Sequence, residues 1–230
     1  LTATIDTPEV GPINQALTDK GWTLTHILNT HHHFDHAGGN LELKEQWGCT
    51  IVGSKSDASR IPGIDVQLSD GDHYDFGNHQ ATVFDVSGHT IGHIAFYFAG
   101  DDVLFSGDAL FALGCGRLFE GTPSQMWTSL QKLKALPDAT TVYCAHEYTA
   151  ANAAFALSVE PDNQDLQARA TEIKSLRAAG TPTVPSNLGT EKATNPFLRP
   201  NSPALRTTLQ MADADDVDVF AETRRRKDNF

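Results

Sequence analysis

The sequence predicts an α/β layered domain over residues 1–148, followed by a small helical domain over residues 149–230. Three observations predict it. Short apolar runs of strand type alternate with helical ones through the first part, as layered α/β cores require. The pattern turns helical after His146. A length of 230 residues suits one large domain with an appendage.

The elements follow in order. Thr2–Asp6 reads as the first strand, and it begins almost at Leu1 with no initiator Met, so an incomplete N-terminus is the expectation. Leu24–Leu28 is the second strand and runs toward a helix over Gly38–Trp47. Thr50–Gly53, Ala81–Val86, His93–Phe98, Val103–Ser106 and Thr141–Cys144 are further short runs rich in β-formers. Thr122–Leu136 reads as a helix opening Thr-Pro-Ser, with proline where the first turn tolerates it. Tyr148–Val159, Asp162–Ala179 and Asp213–Arg226 are the later helices. Between the last two, Gly180–Pro203 reads as a connector punctuated by five prolines.

Composition narrows the function. The net charge of −12 argues against nucleic acid or an anionic membrane as partner. Residues 1–150 carry 18 acidic and 7 basic side chains, the remainder 11 and 10. Help in binding an anionic ligand therefore comes more easily from the C-terminal part, where Arg224, Arg225, Arg226 and Lys227 cluster, or from bound metal. No apolar run reaches membrane-spanning length, and no signal-like segment opens the chain. Three widely spaced cysteines form no disulfide framework and suit a reducing compartment. A monomer in the cytoplasm is the expectation.

The chemistry concentrates in Thr30-His31-His32-His33-Phe34-Asp35-His36-Ala37-Gly38-Gly39. His31 and His33 alternate, so an extended backbone turns both to one side. Asp35 and His36 follow where the chain bends toward the helix and can aim at a neighbouring point. Two pairs aimed at adjacent points suit a dinuclear centre. His89, Asp108 and His146 each follow the end of a strand, where they can converge on one rim of the sheet. Imidazole and carboxylate suit Zn²⁺ and other divalent ions. Without a thiolate ligand, iron and manganese remain open beside zinc. His26, His73, His79 and His93 lack this setting, and His32 points away from its neighbours.

These motifs resemble the metallo-β-lactamase superfamily, and within it the hydroxyacylglutathione hydrolases, also called glyoxalase II. The resemblance is carried by Thr30–Asn40, Ser87–His93, Leu104–Gly121 and Val142–Tyr148. It extends to Asn195-Pro196-Phe197-Leu198-Arg199 and the closing Arg-Arg-Arg-Lys-Asp-Asn-Phe. It implies the superfamily's αββα sandwich followed by the small helical domain. It also implies one metal held by His31, His33 and His89, a second by Asp35, His36 and His146, and Asp108 bridging them, with Asp35 and Asp108 in catalytic roles. Glutathione contacts fall on Arg117, Phe119, Tyr148, Arg224 and Lys227. The implied reaction converts S-D-lactoylglutathione to D-lactate and glutathione by water activated between the two ions. Three departures stand out: Arg117 for a common Lys, Phe119 for a common Tyr, and no strands before Thr2–Asp6.

Rivals share the fold. A cysteine-containing dinuclear β-lactamase would place a thiolate at a ligand position, and none is there. A diiron flavoprotein-type enzyme usually carries Glu where His33 stands. A persulfide dioxygenase with one iron would not need the helical extension, and a non-catalytic metal-binding module would not need seven ligand candidates.

Overall fold

The computed structural model describes residues 1–230. Four parallel strands, β1 (Ala3–Ile5), β2 (His26–Leu28), β3 (Thr50–Ser54) and β4 (Val66–Leu68), lie side by side in chain order. The second sheet is built from β5 (His73–Phe76), β6 (His79–Asp85), β7 (Ile94–Phe98) and β8 (Val103–Gly107). A hairpin of β9 (Leu110–Phe111) and β10 (Gly114–Cys115) follows, then β11 (Thr141–Cys144) and β12 (Ser186–Asn187). The lateral order of this sheet is β12-β11-β8-β7-β6-β5, and only β11 with β8 is parallel.

Period-two alternation makes the sandwich. Leu28 and Val52 of the first sheet pack against Val83, Ile94, Phe96 and Phe98 of the second. Their neighbours Ile27 and Ile51 face outward, onto Leu17 of α1 (Val10–Lys20) and Leu43 of α3 (Asn40–Trp47). Between those helices lies the single turn α2 (Phe34–Ala37). On the other outer face, Ala95, Tyr97, Leu104 and Val142 meet Met126, Trp127, Leu130 and Leu133 of α4 (Pro123–Lys134). Full burial of a side chain such as Phe96 contributes about 1.5–3 kcal/mol. Thr122 caps α4 reciprocally with Gln125, so the expected start of that helix is a capping box.

The C-terminal part holds α5 (Thr149–Val159), α6 (Gln164–Ala178), α7 (Leu188–Thr194), α8 (Pro203–Leu209) and α9 (Asp216–Asp228). It is locked to the sandwich at two levels. Val219, Phe220 and Phe197 join the same core as α4. The fully buried Glu191 of α7 accepts from the Leu113 amide at 2.9 Å and from Asn195 Nδ2 at 3.1 Å, and pairs with Arg169. Asn195 also donates to the Gly114 carbonyl at 3.0 Å. The β9–β10 turn, with Leu113 in the left-handed region at φ 59°, is thus held from the helical side.

Sequence patterning misses α1, β4, β5, the β9–β10 hairpin, β12, α7 and α8. Helix α1 buries only Leu17 and carries Gly-Pro in its first turn, so its apolar stripe is faint. The missed strands have two to four residues, too few to display a period. The proline-punctuated connector is ordered, because β12 pairs with β11 and Pro196 and Pro203 each open a helical turn. The predicted Gly38–Trp47 helix starts at Asn40, after a break at the two glycines. No helix is long and apolar enough to cross a membrane.

Candidate metal centre and groove

The loop between β2 and α2 is pinned by buried amides and hydroxyls. Thr7 Oγ1 donates to Asn40 Oδ1 at 2.7 Å, Asn40 Nδ2 to Asn29 Oδ1 at 2.7 Å, and Asn29 Nδ2 to the His36 carbonyl at 2.8 Å. Asp6, at the end of β1, accepts from the Thr30 amide and hydroxyl, both at 2.8 Å.

Hydrogen bonds behind the rings set the tautomers. His36 Nδ1 donates to Asp6 Oδ2 at 2.8 Å, His89 Nδ1 to the Arg117 carbonyl at 2.8 Å, and His31 Nδ1 to Thr30 Oγ1 at 3.1 Å. Each leaves Nε2 as a lone pair facing the centre. His33 Nδ1 lies 3.0 Å from His31 Nε2 and 3.2 Å from His89 Nε2. A second group forms alongside: His146 Nε2 is 3.5 Å and His36 Nε2 3.8 Å from Asp35 Oδ2. Asp108 reaches both, with Oδ2 at 3.5 Å from His89 Nε2 and Oδ1 at 3.4 Å from His36 Nε2 and 3.5 Å from His146 Nε2. All seven predicted ligands meet here, in groups whose donor atoms lie within 4.8 Å of one another.

The donor set passes a test of fit. His36 Nε2 and Asp108 Oδ1 are buried without a hydrogen-bond partner, a costly arrangement unless a cation takes their lone pairs. A divalent cation supplies that partner, and imidazole with carboxylate is the matching ligand chemistry.

Beside the centre runs a groove of about 530 Å³ that begins at His33, Asp35, His89, Asp108 and His146. Arg117, Phe119, Tyr148, Arg224 and Lys227 line the rest, so the predicted substrate contacts share one cavity. Tyr148 stacks on His146 at 5.0 Å, and Phe119 meets His89 edge-on at 5.1 Å. Arg224 is largely spent on the protein itself. Its Nη1 donates to the Cys115 carbonyl at 2.9 Å, its Nη2 to Asp228 at 2.9 Å, and it lies over the Phe197 ring, leaving only Nε without a partner. Lys227 Nζ has one long hydrogen bond, to the Ala151 carbonyl at 3.5 Å, and lies 5.5 Å from the Phe155 and Phe230 ring centres.

Residues 8–146 match the metallo-beta-lactamase superfamily, and residues 147–230 match the hydroxyacylglutathione hydrolase C-terminus. The hydroxyacylglutathione hydrolase of Methylococcus capsulatus is 57% identical over 229 residues, covering 100% of this chain and 90% of that protein. That of Maricaulis maris is 56% identical with the same coverage. The chain belongs to the hydroxyacylglutathione hydrolase family. Among solved structures, ETHE1 from Myxococcus xanthus superposes with a TM-score of 0.65 at 26% identity, covering 99% of this chain and 88% of that one. TTHA1623 in a di-iron-bound form gives 0.61 at 26% identity, over 84% and 88%. The BLEG-1 B3 metallo-beta-lactamase, at 22% identity and 0.64, shares the fold, over 86% and 88%.

Two residues that sequence reasoning leaves out serve this hydroxyacylglutathione hydrolase site. Asp6 orients His36 and Thr30, and its signal was available, since it is a strand-end acid like Asp108. His93 is fully buried, stacks on His31 at 4.6 Å, and accepts the Asp108 amide at 3.0 Å through Nε2. Burial holds its pKa down to about 3, against the pull of Asp108, which keeps it a neutral acceptor. Its only signal was its place in Gly88-His89-Thr90-Ile91-Gly92-His93.

The two ligand groups differ in electrostatics. Burial, reinforced by neighbouring histidines, lowers the pKa of His31 and His33. Burial also lowers that of His89, even beside Asp108. At His36 burial pulls down, but the Asp6 hydrogen bond and the charges of Asp6, Asp108 and Asp35 outweigh it and the pKa rises. At His146 the pairing with Asp108, 3.5 Å away, leads, and the pKa also rises. Protons compete with cations for these lone pairs. As pH falls, the raised groups take up protons first, while the lowered ones stay neutral. Acidification is therefore expected to empty the Asp35/His36/His146 group before the His31/His33/His89 group. Metal content after equilibrium dialysis at stepped pH checks this, and simultaneous loss from both would refute it.

Proposed function

We propose that the chain hydrolyses S-D-lactoylglutathione and related S-2-hydroxyacylglutathione thioesters to the 2-hydroxy acid and glutathione, at a centre holding two divalent cations, zinc first among them. One observation carries this reading: a paired ligand cluster, both halves of which Asp108 approaches, opens directly into a groove also lined by the cations Arg117, Arg224 and Lys227. Full-length identity to hydroxyacylglutathione hydrolases supports the substrate class. The di-iron form of TTHA1623, which shares the fold, supports the paired centre.

Bound divalent cations would bring a water's pKa toward neutrality and polarise the thioester carbonyl. The protein supplies the remainder. Glutathione has two carboxylates and one amine; Arg117 offers it positive charge from an otherwise acidic first domain, and Lys227 does so from the helical domain. Phe119 and Tyr148, packed on His89 and His146, would offer apolar faces to the thioester at the metal end of the groove. Asp108 and Asp35 present carboxylate oxygens as acceptors for the attacking water's hydrogens. Glutathione departs as a thiolate with little acid assistance, because thiol pKa values lie near 8–9. The helical unit over 149–230 acts as the substrate-binding domain through α9.

The test is loss of thioester absorbance with S-D-lactoylglutathione, together with elemental analysis of gently purified protein. The expected result is turnover with about two divalent ions per chain, as seven ligand candidates in two groups imply. Full activity at a reproducible stoichiometry of one would remove the paired centre. Metal-replete protein without thioesterase activity would remove the substrate assignment.

A further inference from the structure

A second charged cluster stands behind the centre, and no ligand or groove role absorbs it. Asp57, just beyond β3, is fully buried. Its Oδ2 accepts from His32 Nδ1 at 2.8 Å, and its Oδ1 accepts from Arg60 Nε at 2.9 Å and from Arg60 Nη2. The same guanidinium continues to Glu120, donating from Nη2 at 3.1 Å and also from Nη1. Glu120 in turn accepts the Ile91 amide at 2.8 Å. Gly92 lies flat on the Asp57 carboxyl: a Cβ there would sit 2.1 Å from Asp57 Cγ.

Four loops meet in this chain of charges. His32 sits between His31 and His33. Ile91 and Gly92 follow His89. Glu120 ends the loop of Arg117 and Phe119, whose Phe119 amide donates to the His89 carbonyl at 3.2 Å. Asp6 and its network support His36 and, through Thr30, His31. They reach His33 only at its carbonyl, through the His36 and Ala37 amides at 2.9 Å, and touch neither its ring nor His89. A buried carboxylate carries a large desolvation cost and persists only when its partners are held in place.

We propose that Asp57 is a positioning residue for the first ligand group: with His32, Arg60 and Glu120 it clamps the loops carrying His33 and His89, and so sets their spacing for a cation. The inference rests on the two-cation reading above. It explains why the middle histidine of the motif, turned away from the centre, is built into the structure. His32 fixes His33 from behind through Asp57.

The experiment titrates metal-free full-length protein with Zn²⁺ against a chromophoric chelator. A His146→Ala background isolates the His31/His33/His89 group, and a His33→Ala background isolates the other. Asp57→Asn is expected to weaken binding about 10- to 100-fold in the first background, the range for lost ligand support, and to leave the second unchanged. His32→Ala should weaken the same step, with His32→Gln, which keeps a donor toward Asp57, recovering most of the loss. Should Asp57→Asn fail to fold, Glu120→Gln decides, since it alters the more exposed end of the clamp and is expected to weaken that step several-fold. Equal weakening in both backgrounds, or none in either, overturns the clamp. Binding of a single ion by the unmutated chain instead overturns the two-cation reading, and the clamp with it.

Discussion

Asp108→Ala is expected to lower turnover on the order of a hundredfold or more and to reduce metal content with it. The reason is geometric. Asp108 is the one side chain whose two oxygens approach both ligand groups, at 3.4 to 3.5 Å from three different imidazoles. Gly107, at φ 50°, turns the chain there, and a Cβ at that position would lie 2.6 Å from Thr30 Oγ1 and 2.8 Å from His93 Cε1. No displaced carboxylate can readily take over. Burial pushes the Asp108 pKa up, but His146, His36 and His89 together bring it below the ordinary carboxylate value, so it is ionised at neutral pH. Its loss leaves two cations less neutralised. In metal-free protein it also withdraws the leading cause of the raised His146 pKa, so that pKa should fall, readable by NMR titration. Asp108→Asn, which keeps the shape without the charge, separates the two contributions. A near-normal rate with full metal in the Ala variant would take Asp108 out of the site.

The second large effect concerns the cations of α9, and here the two residues should part company. Lys227→Ala is expected to raise KM for S-D-lactoylglutathione with kcat little changed, because the group would bind a part of the substrate that does not react. A charge-assisted bond contributes about 1.5–3 kcal/mol, so the loss in kcat/KM should be roughly ten- to a hundredfold. Burial, with Arg224 and Arg117 nearby, lowers the Lys227 pKa, and a carboxylate bound beside it would raise it. Arg224→Ala should cost more than binding. It frees the Cys115 carbonyl and Asp228 together and loosens β10 against α9, so thermal stability and kcat should fall with affinity. For both changes together, a loss of about 2–4 kcal/mol in kcat/KM is expected. A small uncharged thioester should be nearly insensitive to Lys227→Ala. Equal loss on both substrates would remove α9 from glutathione recognition.

By itself, the residue pattern determined an α/β layered domain, the strands that carry ligands and the seven side chains that meet at the centre; the αββα arrangement came from the family resemblance. The pattern was legible because each signal is local. A two-residue alternation places His31 and His33 on one side, and strand-end positions recur at His89, Asp108 and His146. Only the tertiary structure decided what stands behind those ligands. Asp6 and His36 are separated by 30 positions, His32 and Asp57 by 25, and Arg60 and Glu120 by 60. No periodicity encodes such pairs, because sheet topology alone brings them together. The same holds for Arg224, which the family resemblance sets beside Lys227 as a glutathione contact. Its partners Cys115 and Phe197 come from distant segments, and they turn one of the two into a strut. Local pattern names the atoms that face the ligand, while packing between distant segments settles which of them remain free to bind it.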